Sequence, residues 1–142
     1  MMKKIILSLS LVALPFSALA ASPVGNWQTV DEDGQKKAVV RITQDPNGDL
    51  RGVITKLIQK PGAICEKCPG DKKGKPIEGM SIIWSLKSEG DNKWSEGAIL
   101  DPQSGSTYNL KAELKEGGKK FELRGFRGVS LLGRTQVWTR ID

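Results

Sequence analysis

The two cysteines of this 142-residue chain lie together as Cys65-x-x-Cys68. A disulfide between them would close a very short loop and stabilise the fold by only about 2 kcal/mol. A redox dithiol of this spacing needs a thiolate stabilised at a helix N-terminus, but this pair precedes Pro69-Gly70 in a stretch without a helical pattern. Two thiolates supply only half of a tetrahedral metal site. The sequence therefore favours a structural disulfide and leaves a thiol–disulfide function or a metal site as alternatives.

The chain contains no histidine. This removes the imidazole general base, the Ser–His and Cys–His nucleophile pairs, and histidine-containing zinc or copper sites. The segment Asp101-Pro102-x-x-Gly105 could supply a catalytic acid, but Asp and Pro at the start of a turn that Gly ends are typical of a hairpin. Because no nucleophile is paired with a base, we expect no catalytic residues and no enzymatic activity. We also expect no cofactor and, since neither a histidine nor a second cysteine pair could complete a site at Cys65 and Cys68, no metal.

Aromatic and basic side chains offer a different chemistry, that of ligand binding. Trp84 and Tyr108 could form the apolar wall of a pocket, although such residues more often belong to the core. Arg124 on a predicted strand, together with Lys72 and Lys73 in a basic loop, could contact an anionic group. These five residues are the predicted contacts for a small apolar or anionic ligand.

Eight short runs rich in β-branched and aromatic residues must position these side chains. The sixth run alternates most clearly, with Tyr108, Leu110, Ala112 and Leu114 on one face. Short connections make successive strands antiparallel neighbours, and eight such strands close on themselves to remove exposed edges. The sequence thus predicts an all-β, eight-stranded up-and-down barrel, about the size that holds one small ligand. The predicted strands are 25–30, 37–44, 50–57, 80–87, 93–100, 107–114, 119–126 and 134–141.

The connection 58–79 is much longer than the others and contains both cysteines, three prolines and a lysine-rich patch. A connection of this length in a compact domain is usually functional or mobile. We therefore predict that it forms a lid at one end of the barrel.

The first predicted strand opens with Gly25-Asn26-Trp27, which resembles the Gly-x-Trp signature of the calycin barrels: lipocalins, fatty-acid-binding proteins and avidins. In those folds the tryptophan closes one end of the barrel, and an arginine of the last strand packs over it. The last predicted strand here carries Arg134 and Arg140 on one face, and either could stack on Trp27 as a cation–π pair. The resemblance implies that these three residues close the barrel.

Several further motifs stand in register with one family over nearly the whole chain after residue 20. They are Ser22-Pro23-Val24-Gly25-Asn26-Trp27, Cys65-x-x-Cys68, Lys75-Pro76-Ile77-x-Gly79-Met80, Ile99-Leu100-Asp101-Pro102-x-x-Gly105-x-Thr107-Tyr108 and Arg124-Gly125-Phe126-x-Gly128-x-Ser130-Leu131-Leu132-Gly133-Arg134-Thr135. In these the chain resembles the exported bacterial proteins grouped as domain of unknown function 2147. The resemblance implies a calycin-like fold and a periplasmic or secreted location, and it implies no activity.

The first 20 residues have the pattern of a secretory signal peptide. Lys3 and Lys4 precede a short apolar run, and Ala18 and Ala20 place small residues at the two positions that a signal peptidase requires. The run is too short to span a bilayer, and Ala21, not Cys, follows the expected cut. We therefore expect cleavage between Ala20 and Ala21, a single domain over 21–142, and a periplasmic or secreted protein that is not a lipoprotein.

The chain after the predicted cut carries 20 Lys and Arg against 16 Asp and Glu, a net charge of +4. Because these charges are interspersed and the protein is expected to be exported, we predict no nucleic-acid partner, and no later segment is apolar enough to span a membrane. The preferred hypothesis is an exported barrel that binds a small ligand. One alternative is a structural or interaction protein of the cell envelope, with a filled barrel and an envelope partner. A further alternative is a periplasmic thiol–disulfide protein that uses Cys65 and Cys68.

Overall fold

The computed structural model describes residues 8–12 and 21–142, so the predicted signal peptide and its cleavage position lie outside the described residues, apart from 8–12. The described chain forms a closed, all-antiparallel barrel in which each strand pairs with its neighbours in sequence and the last pairs with the first. This confirms the predicted up-and-down barrel. No helix within these residues is long and apolar enough to cross a membrane. The strands are β1 (Gly25–Val30), β2 (Lys36–Gln44), β3 (Leu50–Leu57), β4 (Ser81–Gly90), β5 (Lys93–Asp101), β6 (Ser106–Lys115), β7 (Lys120–Phe126) and β8 (Arg134–Arg140).

The largest difference from the predicted strands is at the end of β4, which continues to Gly90 and not to residue 87. The run Glu89-Gly90-Asp91-Asn92 has the composition of a turn, but the reversal is made by Asp91 and Asn92 alone, with φ values of 53° and 59°. A two-residue hairpin turn of this kind needs positive φ at both central positions, which Asp and Asn tolerate. The β4–β5 pairing therefore continues to Gly90 and Lys93.

One end of the barrel is filled by side chains, and we call it the closed end. Trp27 packs on Phe121 with ring centroids 5.3 Å apart, and Phe121 packs edge-on against Trp94 at 5.7 Å. Arg140 lies over the Trp27 ring at 4.4 Å, and its Nε donates to the carbonyl oxygen of Gly118 at 2.7 Å. These contacts join the first strand of the barrel to the last, because Trp27 lies on β1 and Arg140 on β8.

Glycine at position 97 makes room for Leu86 in the interior of the barrel. A Cβ atom there would lie 2.7 Å from Cδ1 of Leu86, which is fully buried. We expect Gly97→Ala to lower the free energy of unfolding by about 1–3 kcal/mol, because overpacking forces neighbouring side chains out of place. Gly125→Ala is the matched control, since its Cβ would meet its nearest neighbour at 3.6 Å, an ordinary contact. Urea denaturation would measure both variants, and equal losses would contradict this packing.

Candidate ligand-binding cavity

The opposite end of the barrel, here called the mouth, contains a cavity of about 1060 Å³. The mouth is formed by the four connections that follow β1, β3, β5 and β7, which are residues 31–35, 58–80, 102–105 and 127–133. Apolar side chains from most of the strands form the floor and the wall of the cavity, because alternate residues of each strand face the interior. The buried apolar residues of the floor and wall are Ala38, Ile54, Leu57, Ile82, Leu100, Leu110, Leu123 and Trp138.

The connection 58–80, here called the lid, contains the predicted long connection 58–79 and crosses part of the mouth. On one side its backbone N–H groups at Ile58 and Gln59 donate to the carbonyl oxygen of Lys37 at 2.9 and 3.1 Å. On the other side the backbone of Lys67 presses on Gly105, where a Cβ atom has no room. The lid therefore spans from β2 to the β5–β6 turn and leaves the side near β7 and β8 uncovered.

The carboxylate of Asp31 also anchors the lid. It accepts a hydrogen bond from Nε2 of Gln59 at 2.9 Å, and this bond is the main reason that the pKa of Asp31 lies below its ordinary value of 3.8. The backbone N–H of Gln35 lowers this pKa further, while desolvation opposes the shift. Because the folded pKa is lowered, the carboxylate stabilises the fold above pH 3.8, and this contribution is lost as the pH falls through the folded pKa. We expect an NMR titration of the Asp31 carboxyl carbon to give a lower pKa in wild type than in Gln59→Ala, and equal values would contradict this anchor.

The two cysteines form the predicted disulfide, with Cα atoms 5.5 Å apart. Cys65 is fully buried and its Sγ lies 3.3 Å from the carbonyl oxygen of Pro102, while Cys68 is 3 % exposed and contacts Met80. Sulfur atoms enclosed in this way cannot be reached by the thiol of another protein without opening of the lid. The surroundings therefore favour a structural role.

Replacing Cys65 and Cys68 together by alanine is expected to lower the free energy of unfolding by about 2 kcal/mol, since the disulfide closes a very short loop. Amide hydrogen exchange should accelerate in residues 59–79, and the closed end should remain protected. Wild-type protein treated with a reductant is the control and should show the same pattern. Uniformly faster exchange across the barrel would contradict a local role.

Tyr108 is the one predicted ligand contact that the structure places at the cavity, where it faces inward on β6 as the alternation indicates. The guanidinium carbon of Arg127 lies 4.9 Å from the centre of its ring. The phenol is therefore part of the cavity wall near the mouth, with a cationic group beside it.

Trp84, Lys72 and Lys73 are not among the residues that line the cavity. The ammonium group of Lys72 lies 4.7 Å from the centre of the Trp84 ring and donates to the carbonyl oxygen of Ser81 at 3.0 Å, on the outside of the barrel. The register between β3 and β4 shifts just before Trp84, so that Ile82 and Ile83 are both buried. This irregularity moves Trp84 to the outer face, and Lys73 is exposed in the lid away from the cavity.

Arg124 also points away from the cavity, because it lies on the outer face of β7. Its Nε donates to the carbonyl oxygen of Ser130 at 2.6 Å, its Nη1 to the hydroxyl of Thr135 at 2.8 Å, and its Nη2 to the carbonyl oxygen of Leu131 at 3.2 Å. Arg124 therefore fixes the β7–β8 connection and is not placed to touch a ligand in the cavity.

The two arginines predicted to close the barrel lie at opposite ends of it. Arg140 stacks on Trp27, whereas Arg134 is at the mouth and pairs with Glu32 at 2.9 Å. Six residues of a strand extend about 20 Å, so that only one of the two arginines can reach Trp27. The structure thus assigns barrel closure to Trp27 and Arg140, without Arg134.

Sequence reasoning missed a set of basic side chains around the cavity. Five cationic residues line it against two acidic ones, Glu66 and Asp101. The carboxylate of Asp101 already accepts hydrogen bonds from Gln103 and Ser104, and one of the five cations, Arg134, already pairs with Glu32. No single motif marks these residues as a group, because they come from separate segments that only the closed barrel brings together. The cationic rim consists of Lys37, Lys60, Lys67, Arg127 and Arg134.

The seam between β1 and β8 is open towards the mouth. The two strands pair at only two positions near the closed end, although β8 pairs with β7 from Lys120↔Thr139 to Gly125↔Arg134. Gln136 lines the cavity and is nevertheless exposed, while its partner on β7, Leu123, is buried. The cavity therefore has a portal beside β8, on the side that the lid leaves uncovered.

Two comparisons with known proteins bear on this architecture. A solved structure of HP1028, a protein from Helicobacter pylori that is described as belonging to the lipocalin family, matches with a TM-score of 0.76 and 18 % sequence identity over 86 % of this chain and 84 % of that one. Among curated proteins, none matches the sequence significantly. The structural match confirms a lipocalin-like fold.

The family model of bacterial proteins described as "Uncharacterized protein conserved in bacteria (DUF2147)" matches residues 25–140. This match covers every strand of the barrel, from β1 to β8. The chain therefore belongs to the DUF2147 family.

Proposed function

We propose that this protein binds a small amphipathic ligand, with the apolar part of the ligand inside the barrel and an anionic group at the cationic rim. The observation that carries this proposal is the cavity of about 1060 Å³, which has a floor of buried aliphatic residues and Trp138 below a rim of five cationic side chains. An apolar, enclosed floor favours hydrocarbon, and basic groups at its opening favour a carboxylate, sulfate or phosphate.

The closed end supplies rigidity and the mouth supplies the binding site. Trp27, Phe121 and Trp94 fill the half of the barrel at the closed end, so a ligand can occupy only the half next to the mouth. At the rim Arg127 is exposed and lies beside Tyr108, which places a cation and an aromatic wall at the same point of the opening. A filled barrel would offer no such space, which favours ligand binding over a purely structural role in the envelope.

Export to the periplasm or the medium is part of the proposal. The Cys65–Cys68 disulfide supports it, because disulfides persist mainly in oxidising compartments. N-terminal sequencing of protein recovered from the periplasm or medium should begin at Ala21. Protein found only in the cytoplasm with Met1 or Met2 intact would contradict export.

Binding can be measured with dansyl-labelled undecanoate, an anionic amphipathic probe. Trp138 is the tryptophan that lines the cavity, so energy transfer from it to the dansyl group should report occupancy. Dodecanoate should displace the probe more effectively than dodecanol or dodecyltrimethylammonium. Displacement that does not depend on the head-group charge would contradict the role of the rim, and no energy transfer at any probe concentration would contradict binding itself.

The class of the natural ligand can be identified by native mass spectrometry. Protein isolated from its own cell envelope without detergent should carry one added mass that dodecanoate displaces. Arg127→Gln should weaken dodecanoate binding about three- to tenfold, since it removes one charge-assisted contact. Lys56→Gln, which changes an exposed lysine that does not line the cavity, is the matched control.

A further inference from the structure

The connection between β7 and β8 exposes three large apolar side chains at the portal. Val129 is 59 % exposed, Leu131 is 89 % exposed and Leu132 is 79 % exposed. These residues are held in place, because the three hydrogen bonds from Arg124 fix the backbone at Ser130 and Leu131 and the side chain of Thr135. We call Val129, Leu131 and Leu132 the portal tip. Several apolar side chains held together in water mark an interaction surface.

The residues nearest the portal tip in sequence are basic. Arg127 and Arg134 flank it, and no Asp or Glu occurs between Leu123 and Ile141. Arg134 pairs with Glu32 of the acidic β1–β2 connection at 2.9 Å, so Arg127 carries the positive charge at the tip. Lys60 and Lys67 lie exposed on the lid side of the same opening, where Glu66 and Asp101 are the acidic lining residues. A partner that fits this arrangement has an apolar interior covered by a layer of negative charge.

The portal tip is continuous with the cavity. Leu132 belongs both to the tip and to the cavity lining, and Ile64, which is 50 % exposed, lines the cavity from the lid. The open seam of β8 lies at the same side of the barrel. A molecule that leaves an apolar phase at the tip would therefore enter the cavity without crossing water.

We propose that the portal tip inserts into the surface of an anionic lipid bilayer, with Arg127, Lys60 and Lys67 placed against the head-group phosphates. Apolar side chains at the level of the acyl chains and basic side chains at the level of the head groups are the pattern of interfacial membrane binding. A second copy of this chain is a poorer occupant, because two tips brought together would oppose arginine to arginine. This docking goes beyond ligand binding and can hold or fail independently of it.

Vesicle flotation tests the proposal with protein as isolated after export. Vesicles of phosphatidylglycerol and phosphatidylcholine should carry the protein at least about tenfold more effectively than vesicles of phosphatidylcholine alone, and added salt should reduce binding. The double variant Val129→Asp/Leu131→Asp should lose at least about tenfold in vesicle binding. It should retain the affinity for dansyl-labelled undecanoate in the absence of vesicles, because neither residue lines the cavity.

Ile141→Asp is the matched control, since Ile141 is 50 % exposed and lies at the closed end. It should bind vesicles like wild type, and Leu131→Ser gives a milder change should the double variant fold poorly. Vesicle binding that Val129→Asp/Leu131→Asp leaves unchanged would overturn the proposal, as would equal binding to neutral vesicles. Self-association in sedimentation that the same double variant abolishes would also overturn it, in favour of a second copy as the occupant.

Discussion

Ala38→Phe is expected to weaken the binding of dansyl-labelled undecanoate by about tenfold or more, which corresponds to about 1.4 kcal/mol or more. Ala38 lies on β2, is 5 % exposed and lines the wall of the cavity near the mouth. A phenyl ring at this position would occupy the space that the apolar part of a ligand needs. The fold should tolerate the ring, because it enters an existing cavity and not the filled closed end.

Val39→Phe is the control for this effect, since Val39 is the next residue of β2 and its side chain faces the opposite side of the strand. It should bind the probe like wild type. Equal losses in the two variants would show that the effect comes from the added phenyl ring and not from the cavity. Unchanged binding in Ala38→Phe would place the ligand elsewhere on the protein.

Trp27→Ala is expected to lower the free energy of unfolding by about 3–5 kcal/mol, a large part of the stability of a domain of this size. Trp27 is fully buried, packs on Phe121, lies under Arg140 and donates from Nε1 to the carbonyl oxygen of Pro23 at 2.9 Å. The variant loses this packing and also leaves a cavity that its neighbours cannot fill completely. Urea denaturation followed by circular dichroism would measure the loss.

Trp84→Ala is the matched control, because Trp84 is only partly buried and lies on the outer face beside Lys72. This variant should lower the free energy of unfolding by about 1 kcal/mol or less. Trp27→Phe should fall between the two, since it keeps an aromatic ring and loses the hydrogen bond to Pro23. A cost for Trp84→Ala as large as that for Trp27→Ala would contradict the assignment of the closed end as the stabilising half of the barrel.

The fold could be predicted from the sequence because its determinants are local. Alternation in β6 placed Tyr108 on the inner face, turn residues marked the ends of most strands, and the spacing of Cys65 and Cys68 indicated a disulfide. The stacking of an arginine of the last strand on Trp27 followed from a resemblance to the calycin barrels, and the structure shows that Arg140, not Arg134, makes this contact.

Most of the candidate site could not be predicted, because it depends on pairing between strands. The register shift between β3 and β4 turned Trp84 outward, and simple alternation gives no sign of it. Arg124 looked like a free cation, but its hydrogen bonds are made to a connection whose path the sequence does not specify. The portal also depends on pairing between strands. The β1–β8 pairing stops before it reaches the mouth, and this is visible only in the closed barrel.

Binding inside the mouth half of the barrel can be tested most directly by methyl NMR during a titration with dodecanoate. The methyl groups of Ile54, Ile82 and Leu110 line the cavity, whereas those of Ile42 and Leu86 are buried at the other end of the interior. We expect large, saturable shifts for the first group and small ones for the second. Shifts confined to methyl groups on the outer surface, or no saturable shifts at all, would contradict a ligand site in the barrel.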